Sequence, residues 1–182
     1  RQPLVSKDNS LVITFNGEIY NYKEIRNELS KNNILFKSNS DTEVILESYK
    51  CWGIEFVKKL RGMFAFAIWD NNKKKLLLAR DPFGIKPLYY FKKNNILFFA
   101  SQVKSILSID NLSFEKSGRS VLDYYLWGNI REPLPLYKDI YSLDKDSAYY
   151  YSGGWHLKGI YSVILGFIFS ASTIWNNNLV FL

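Results

Sequence analysis

The chain has 182 residues, 47% of them hydrophobic and 17% aromatic, which provides a core for one domain or a little more and excludes global disorder. Its net charge of +7 comes from lysines scattered through turns and helix ends (Lys58-Lys59, Lys73-Lys74-Lys75, Lys92-Lys93), a pattern of solvated surface that argues against a nucleic-acid partner. One Cys and one His exclude an intramolecular disulfide and a zinc-ligand cluster; a single Cys suits a reducing compartment, so a cytoplasmic location is expected.

Residues 11–15 read as a buried strand. Asn16-Gly17 follows as a turn that can aim a side-chain amide and a backbone N–H at one point, which is what an oxyanion needs. Asn21 stands where a helix N-cap belongs, with Glu24 as its capping-box partner, and Ile25 and Leu29 form an i,i+4 pair, so a helix is predicted over 22–31. Residues 34–36 are a short strand candidate. Ser40-Asp41-Thr42-Glu43 is a second capping box, ahead of Val44, Ile45, Tyr49 and Trp52 at helical spacing, with Gly53 as the stop.

Residues 62–70 form a strand with Phe64, Phe66 and Ile68 on one face and Met63, Ala65, Ala67 and Trp69 on the other. Both faces are apolar, which places the strand inside a layered structure. A turn over 71–75 and a return strand over 76–79 follow, then a turn at Asp81-Pro82-Phe83-Gly84. Residues 88–91 and 96–100 make a hairpin around Lys92-Lys93-Asn94-Asn95, and 103–107 a short helix. The class is α+β, with mostly antiparallel strands flanked by helices.

Beyond Ser117 a helix is expected over 121–127, stopped by Gly128, then an extended linker at Pro133 and Pro135 and short strands over 137–143 and 148–151. From Gly153 onward, Lys158 is the only formal charge apart from any on His156. The mostly apolar run 160–175 falls short of the roughly 20 apolar residues a spanning helix needs, so a buried strand pair or an aberrant tail is expected there rather than a membrane span.

The motifs form an ordered series: Asn16-Gly17-Glu18-Ile19-Tyr20-Asn21; Ser40-Asp41-Thr42-Glu43-Val44-Ile45; Gly62-Met63-Phe64-Ala65-Phe66-Ala67-Ile68-Trp69-Asp70; Ala79-Arg80-Asp81-Pro82-Phe83-Gly84-Ile85-Lys86-Pro87-Leu88-Tyr89-Tyr90; and Phe99-Ala100-Ser101-Gln102-Val103-Lys104-Ser105-Ile106-Leu107. In this order they resemble the N-terminal glutaminase domain of the glutamine-dependent asparagine synthetases, which are class II glutamine amidotransferases. The resemblance is firm over 1–110 and weaker to about 150. It implies a four-layer α-β-β-α sandwich of the N-terminal-nucleophile hydrolase type, incomplete at its start, with 1–110 as the glutaminase domain, 111–152 as a linker toward a synthetase domain and 153–182 as an apolar tail.

In that family an N-terminal Cys attacks the amide carbon of glutamine with its own α-amino group as base. The resemblance assigns the oxyanion hole to Asn16 and Gly17, and contacts to the amino-acid end of glutamine to Glu18 and Asp41. Glutamine and the synthetase domain are then the partners, and a homodimer is left open. No cofactor is implied for this stretch; ATP and magnesium are expected for the synthetase domain, which amidates aspartate. Plainer roles stand beside these: Asp41 as a helix cap, Glu18 as a surface acid, and Arg80 with Asp81 as a buried ion pair shaping a turn.

The chain departs from the family in three ways. The leading Cys and a substrate-binding Arg precede the part given by these residues. The synthetase nucleotide loop is not matched, because Ser152-Gly153-Gly154 continues to Trp155-His156. Gln102 stands where the family usually has Glu. Cys51 is expected to be a small buried core residue at a helix C-terminus, with Lys50 as its only local cation, and not a substitute nucleophile. His156 is assigned no role. The 182 residues are therefore expected to be inactive alone; a nucleophile-less remnant that binds glutamine or a protein is the alternative.

Overall fold

The computed structural model describes residues 2–93, 96–131, 134–152, 156–159 and 180–181; the run 160–175, Pro133 and Gly153-Gly154-Trp155 lie outside them. Its strands are β1 Leu4–Val5, β2 Leu11–Ile19, β3 Gly62–Asp70, β4 Lys75–Arg80, β5 Tyr89–Lys93, β6 Ile96–Ala100, β7 Ile140–Ser142, β8 Ala148–Ser152, β9 His156–Gly159 and β10 Val180–Phe181. The helices are α1 Tyr22–Lys31, α2 Asp41–Trp52, α3 Val103–Leu107 and α4 Gly118–Trp127, with a 3-10 helix at Gly53–Lys59. Strands pair in the orders β1-β2-β3-β4-β8 and β10-β9-β6-β5-β7. Mostly antiparallel sheets with helices make the chain α+β, as expected.

The chain divides into two compact units, Arg1–Lys86 with Lys145–Gly153, and Pro87–Asp144 with Gly154–Leu182. The first holds the all-antiparallel sheet. Period-2 alternation sends Leu11, Ile13, Phe15 and Ile19 of β2 and Phe64, Phe66 and Ile68 of β3 into one core with Ile25 and Leu29 of α1, Val44, Ile45 and Tyr49 of α2, and Phe56 of the 3-10 helix. The other face of β3 is buried as well at Ala65 and Ala67, as its two apolar faces predict. Gly53 stops α2 with a positive φ of 58°, its N–H on the Tyr49 carbonyl.

The second unit has antiparallel pairs β5-β6 and β5-β7 and parallel pairs β6-β9 and β9-β10. Its core joins Phe91, Phe98, Ala100, Ile106 and Ile140, with the Phe114 ring edge-on to Phe91 at 4.9 Å between centroids. Ser117 caps α4 from the Ser120 N–H at 3.4 Å, and Gly128 ends it in the left-handed region at φ 67°. The helix therefore starts at Gly118, a turn earlier than the apolar periodicity alone indicates.

Four local expectations are corrected. Asn16-Gly17 is no turn: β2 runs through it to Ile19, paired in unbroken register with Gly62–Asp70. Residues 34–36 form no strand. Asn33 at φ 61° ends α1, the Asn33 N–H bonds the Ser30 carbonyl at 3.1 Å and the Ile34 N–H the Leu29 carbonyl at 3.4 Å. That is a Schellman stop, and it uses Ile34 to seal the helix end against the core. Asn21 makes no capping bond. Its amide instead donates to the Lys59 carbonyl and accepts from the Arg61 N–H, each at 2.9 Å, which ties the end of β2 to the start of β3. Cys51 is exposed rather than buried, because α2 turns its core face at Ser48 and Tyr49 and Cys51 falls beyond it.

Candidate functional site

The predicted site residues Asn16, Gly17 and Glu18 occupy the last turn-free stretch of β2, and the structure brings Asp41 to them. In β2 the odd positions face the core, so Asn16 and Glu18 share the opposite face, next to Ala65 and Met63 of β3. Asn16 is half-buried and Glu18 exposed. Among the described residues neither side chain has a hydrogen-bond or ionic partner.

Backbone direction along β2 also alternates. The Tyr20 N–H bonds the Arg61 carbonyl, so even-numbered residues point at β3. Odd-numbered residues point at the opposite edge, where β1 covers only Val12 and Ile13. Further along that edge, Phe15 is held by the side chain of Gln2: its N–H donates to Oε1 at 2.8 Å and its carbonyl accepts from Nε2 at 2.6 Å. Ile19 donates its N–H to Asp41 Oδ2 at 3.3 Å. Gly17 lies between these two filled positions. By this alternation its N–H leaves β2 on the same edge, beyond the last residue that β1 pairs.

Gly17 is a glycine for a steric reason. Its φ is 148°, and a Cβ there would lie 2.1 Å from the Met63 carbonyl oxygen; a Cβ on Gly62 would lie 2.2 Å from the Glu18 carbonyl oxygen. Both glycines let β2 and β3 close together where the edge opens.

Asp41 is the first residue of α2 but not its cap. Ser40 caps the helix by accepting from the Thr42 N–H at 3.1 Å, which leaves the Asp41 carboxylate for β2. The expected capping box is also re-aimed. Glu43 accepts from the Lys37 and Ser38 N–H groups, each at 2.7 Å. Burial would raise the Glu43 pKa, but these bonds, the Ser38 hydroxyl and nearby Arg26 outweigh it and hold it below the usual carboxylate range. Arg26 adds a bond to the Ser38 carbonyl at 2.5 Å and lies over the Phe36 ring at 4.3 Å. The loop entering Asp41 is thus fixed from both helices.

Behind Gly17, Phe64 presents its N–H to Asp81 Oδ2 at 3.3 Å. Asp81 is fully buried, and it also accepts from the N–H groups of Phe83, Ile85 and Lys86, each at 3.0 Å. Burial alone would raise its pKa; the backbone donors reverse that and depress it. Arg80 donates to the carbonyls of Lys86 at 2.8 Å and Gly84 at 2.7 Å. The predicted turn forms, with Gly84 N–H on the Asp81 carbonyl at 3.0 Å, and both charged residues shape it through backbone groups. Sequence reasoning missed the roles of Gln2, Asn21 and Asp81 as backbone clamps; the signal available was that Gln2 and Asp81 each directly precede a Pro, and Asn21 carried no such signal.

This edge can hold a carbonyl oxygen with the Gly17 N–H, with the Asn16 amide beside it, and a cation with Glu18 and Asp41. Residues 1–158 match the family model described as a glutamine amidotransferase domain. The chain belongs to this family. Within it, the chain is 43% identical over 149 residues to asparagine synthetase [glutamine-hydrolyzing] 2 of Bacillus subtilis strain 168, covering 79% of this chain and 20% of that protein. It is 46% identical over 135 residues to asparagine synthetase [glutamine-hydrolyzing] 1 of the same strain, covering 74% and 21%. The chain therefore spans about one-fifth of the length of these relatives. Among solved structures, it is similar to a B. subtilis glutamine phosphoribosylpyrophosphate amidotransferase complexed with ADP and GMP, at 28% identity, 51% coverage of this chain, 22% of that one and a TM-score of 0.44.

As a glutamine amidotransferase domain of the kind found in asparagine synthetases, the chain has one Cys, Cys51, at the opposite end of α2 from Asp41. At 1.5 Å rise per residue the two are about 15 Å apart along the helix axis. Cys51 thus lies well away from the residues gathered at the β2 edge. Among the described residues no helix is long and apolar enough to cross a membrane.

Proposed function

We propose that this domain binds glutamine at the open edge of β2 and, with the family's N-terminal Cys, hydrolyses it to glutamate and ammonia. The observation that carries the reading is the β2 edge at Gly17, left between the Gln2 contact at Phe15 and the Asp41 contact at Ile19, with the Asn16 side chain on the adjoining face. The four-layer sandwich of N-terminal-nucleophile hydrolases is the architecture that goes with this reading.

The chemistry follows from the charges that develop. A thiolate adds to the carboxamide carbon and the carbonyl oxygen becomes an oxyanion. The Gly17 N–H and the Asn16 amide donate to it, and each such donor is worth roughly 3 kcal/mol of transition-state stabilisation. Glu18 and Asp41 hold the α-ammonium group by charge-assisted hydrogen bonds. Collapse of the adduct, with a proton passed from the N-terminal ammonium to the leaving nitrogen, expels ammonia and leaves a γ-glutamyl thioester. Water then adds to the thioester and releases glutamate and the thiol, while a synthetase domain uses the ammonia to amidate an acceptor carboxylate. That its relatives are asparagine synthetases favours aspartate as that acceptor, with ATP and magnesium bound by the synthetase domain. Cys51 takes no part.

These 182 residues contain the oxyanion and ligand groups without that nucleophile, so the polypeptide by itself binds glutamine and does not turn it over. Calorimetry of glutamine against the 182-residue chain tests this. Heat of binding that disappears in Asp41→Ala agrees with it. No heat at millimolar glutamine, or glutamate release by this polypeptide, contradicts it.

A further inference from the structure

β1 pairs with β2 at Leu4 opposite Ile13 and Val5 opposite Val12. Continuing that antiparallel register by two residues puts Gln2 opposite Phe15. A backbone partner there would exchange N–H and C=O with Phe15 and carry the strand on toward Gly17. Gln2 does something else. Its side-chain carboxamide takes both Phe15 groups, at 2.8 and 2.6 Å. The amide satisfies the edge at Phe15 and stands in for a strand residue, and β1 ends at Leu4. The next outward pair along β2 belongs to Gly17.

We propose that Gln2 is a positioning residue for the oxyanion hole. Its carboxamide holds β2 straight at Phe15 and ends the β1 pairing one step short of Gly17, so that the Gly17 N–H stays open to a carbonyl oxygen. This deepens the glutamine-site reading and rests on it. Gln2 touches no substrate in this account; it acts through Phe15. The bidentate geometry is what matters, because a primary amide is the side-chain group that offers one donor and one acceptor on a common plane. A carboxylate at this position would meet the Phe15 carbonyl with a second acceptor, and a thioether of similar length would meet neither group.

Gln2 is exposed, so replacing it leaves the core intact and the fold testable. The experiment uses the 182-residue chain and its Gln2→Met and Gln2→Glu variants. Three quantities are measured: the glutamine dissociation constant by calorimetry, the urea midpoint, and amide shifts and hydrogen exchange of Phe15 and Gly17 by NMR. Both variants are expected to bind glutamine about tenfold more weakly, the worth of roughly one net hydrogen bond. Their urea midpoint falls modestly because Phe15 loses both partners, the Phe15 amide exchanges faster, and the Gly17 amide shift moves. A purely structural role would lower the midpoint while leaving glutamine affinity and the Gly17 shift unchanged. Unchanged glutamine affinity and an unchanged Gly17 shift in both variants, with the parent still binding, overturn the role of Gln2 and leave the glutamine site standing. Absence of binding by the parent overturns the site reading, and the role of Gln2 with it.

Discussion

The Met63 carbonyl oxygen occupies the place where residue 17 would carry a Cβ, 2.1 Å from the ideal position, so Gly17 and Met63 fix how closely β2 and β3 approach. Gly17→Ala must push the strands apart and also strain a φ of 148°. We expect a loss of ~3 kcal/mol or more, in the steric tail of substitution effects. Urea denaturation measures it. Gly62→Ala should behave alike, whereas Gly118→Ala meets nothing within 4 Å and should be neutral or mildly stabilising.

Asn21 offers a test that separates a clamp from a cap. Aspartate is a good N-cap, so Asn21→Asp would be harmless if Asn21 served α1. In the clamp, the new carboxylate faces the Lys59 carbonyl, which now receives its bond from Nδ2. Asn21→Asp and Asn21→Ala should each cost about 1–3 kcal/mol, since a buried backbone group loses its partner. Ser40→Ala, the true cap of α2, should cost about 1 kcal/mol. A neutral Asn21→Asp in chemical denaturation would restore the capping reading.

Acid stability should depend on Asp81 and Glu43. Both carboxylates are held below their ordinary pKa by backbone donors that outweigh the cost of burial. A depressed folded pKa means that the stabilisation is complete above the unfolded value near 4 and is lost as pH falls through the folded value. Urea midpoints should therefore be flat from about pH 7 to 5 and fall below about pH 4. Asp81→Asn keeps one acceptor but turns an amide toward N–H donors. It should cost about 2–4 kcal/mol at neutral pH and flatten the acid limb. An acid limb as steep in Asp81→Asn as in the parent would remove Asp81 from the account.

Asp41 can be separated from the fold because Ser40 does the capping. Asp41→Asn retains an oxygen for the Ile19 N–H and removes the charge. Its stability should stay within about 1 kcal/mol of the parent, while glutamine binding falls at least about tenfold, the loss of a charge-assisted bond to an ammonium group. Calorimetry beside a urea titration reads both.

Much of the first unit was legible because its signals are local. Alternating aromatics set β3 at Gly62–Asp70, and the Ile25–Leu29 spacing set α1 at Tyr22–Lys31. The site residues were legible as a motif, and the structure supplies what the motif could not: the direction of the Gly17 N–H, which depends on alternation measured from Phe15 and Ile19. The misses are competitions settled at long range. Asn16-Gly17 reads as a turn, yet β3 pairs with it in unbroken register, Phe64 opposite Gly17 and Gly62 opposite Ile19, and the strand continues. Asn21 and Glu43 have the right residue types for caps, yet Arg61 and Ser38 offer them better backbone partners. Cys51 is apolar in type and lies one residue from a helix end where the buried face has already passed.

The most direct test of the glutamine site restores the nucleophile. The Cys-led leading segment of a similar asparagine synthetase is joined ahead of Gln2, and glutamate release is measured for this chain and its Asn16→Ala variant. The account predicts measurable release by the extended chain, and a fall of about 10²–10³ in kcat with KM nearly unchanged in Asn16→Ala, as expected for loss of one oxyanion donor. Equal kcat in the two chains would contradict it.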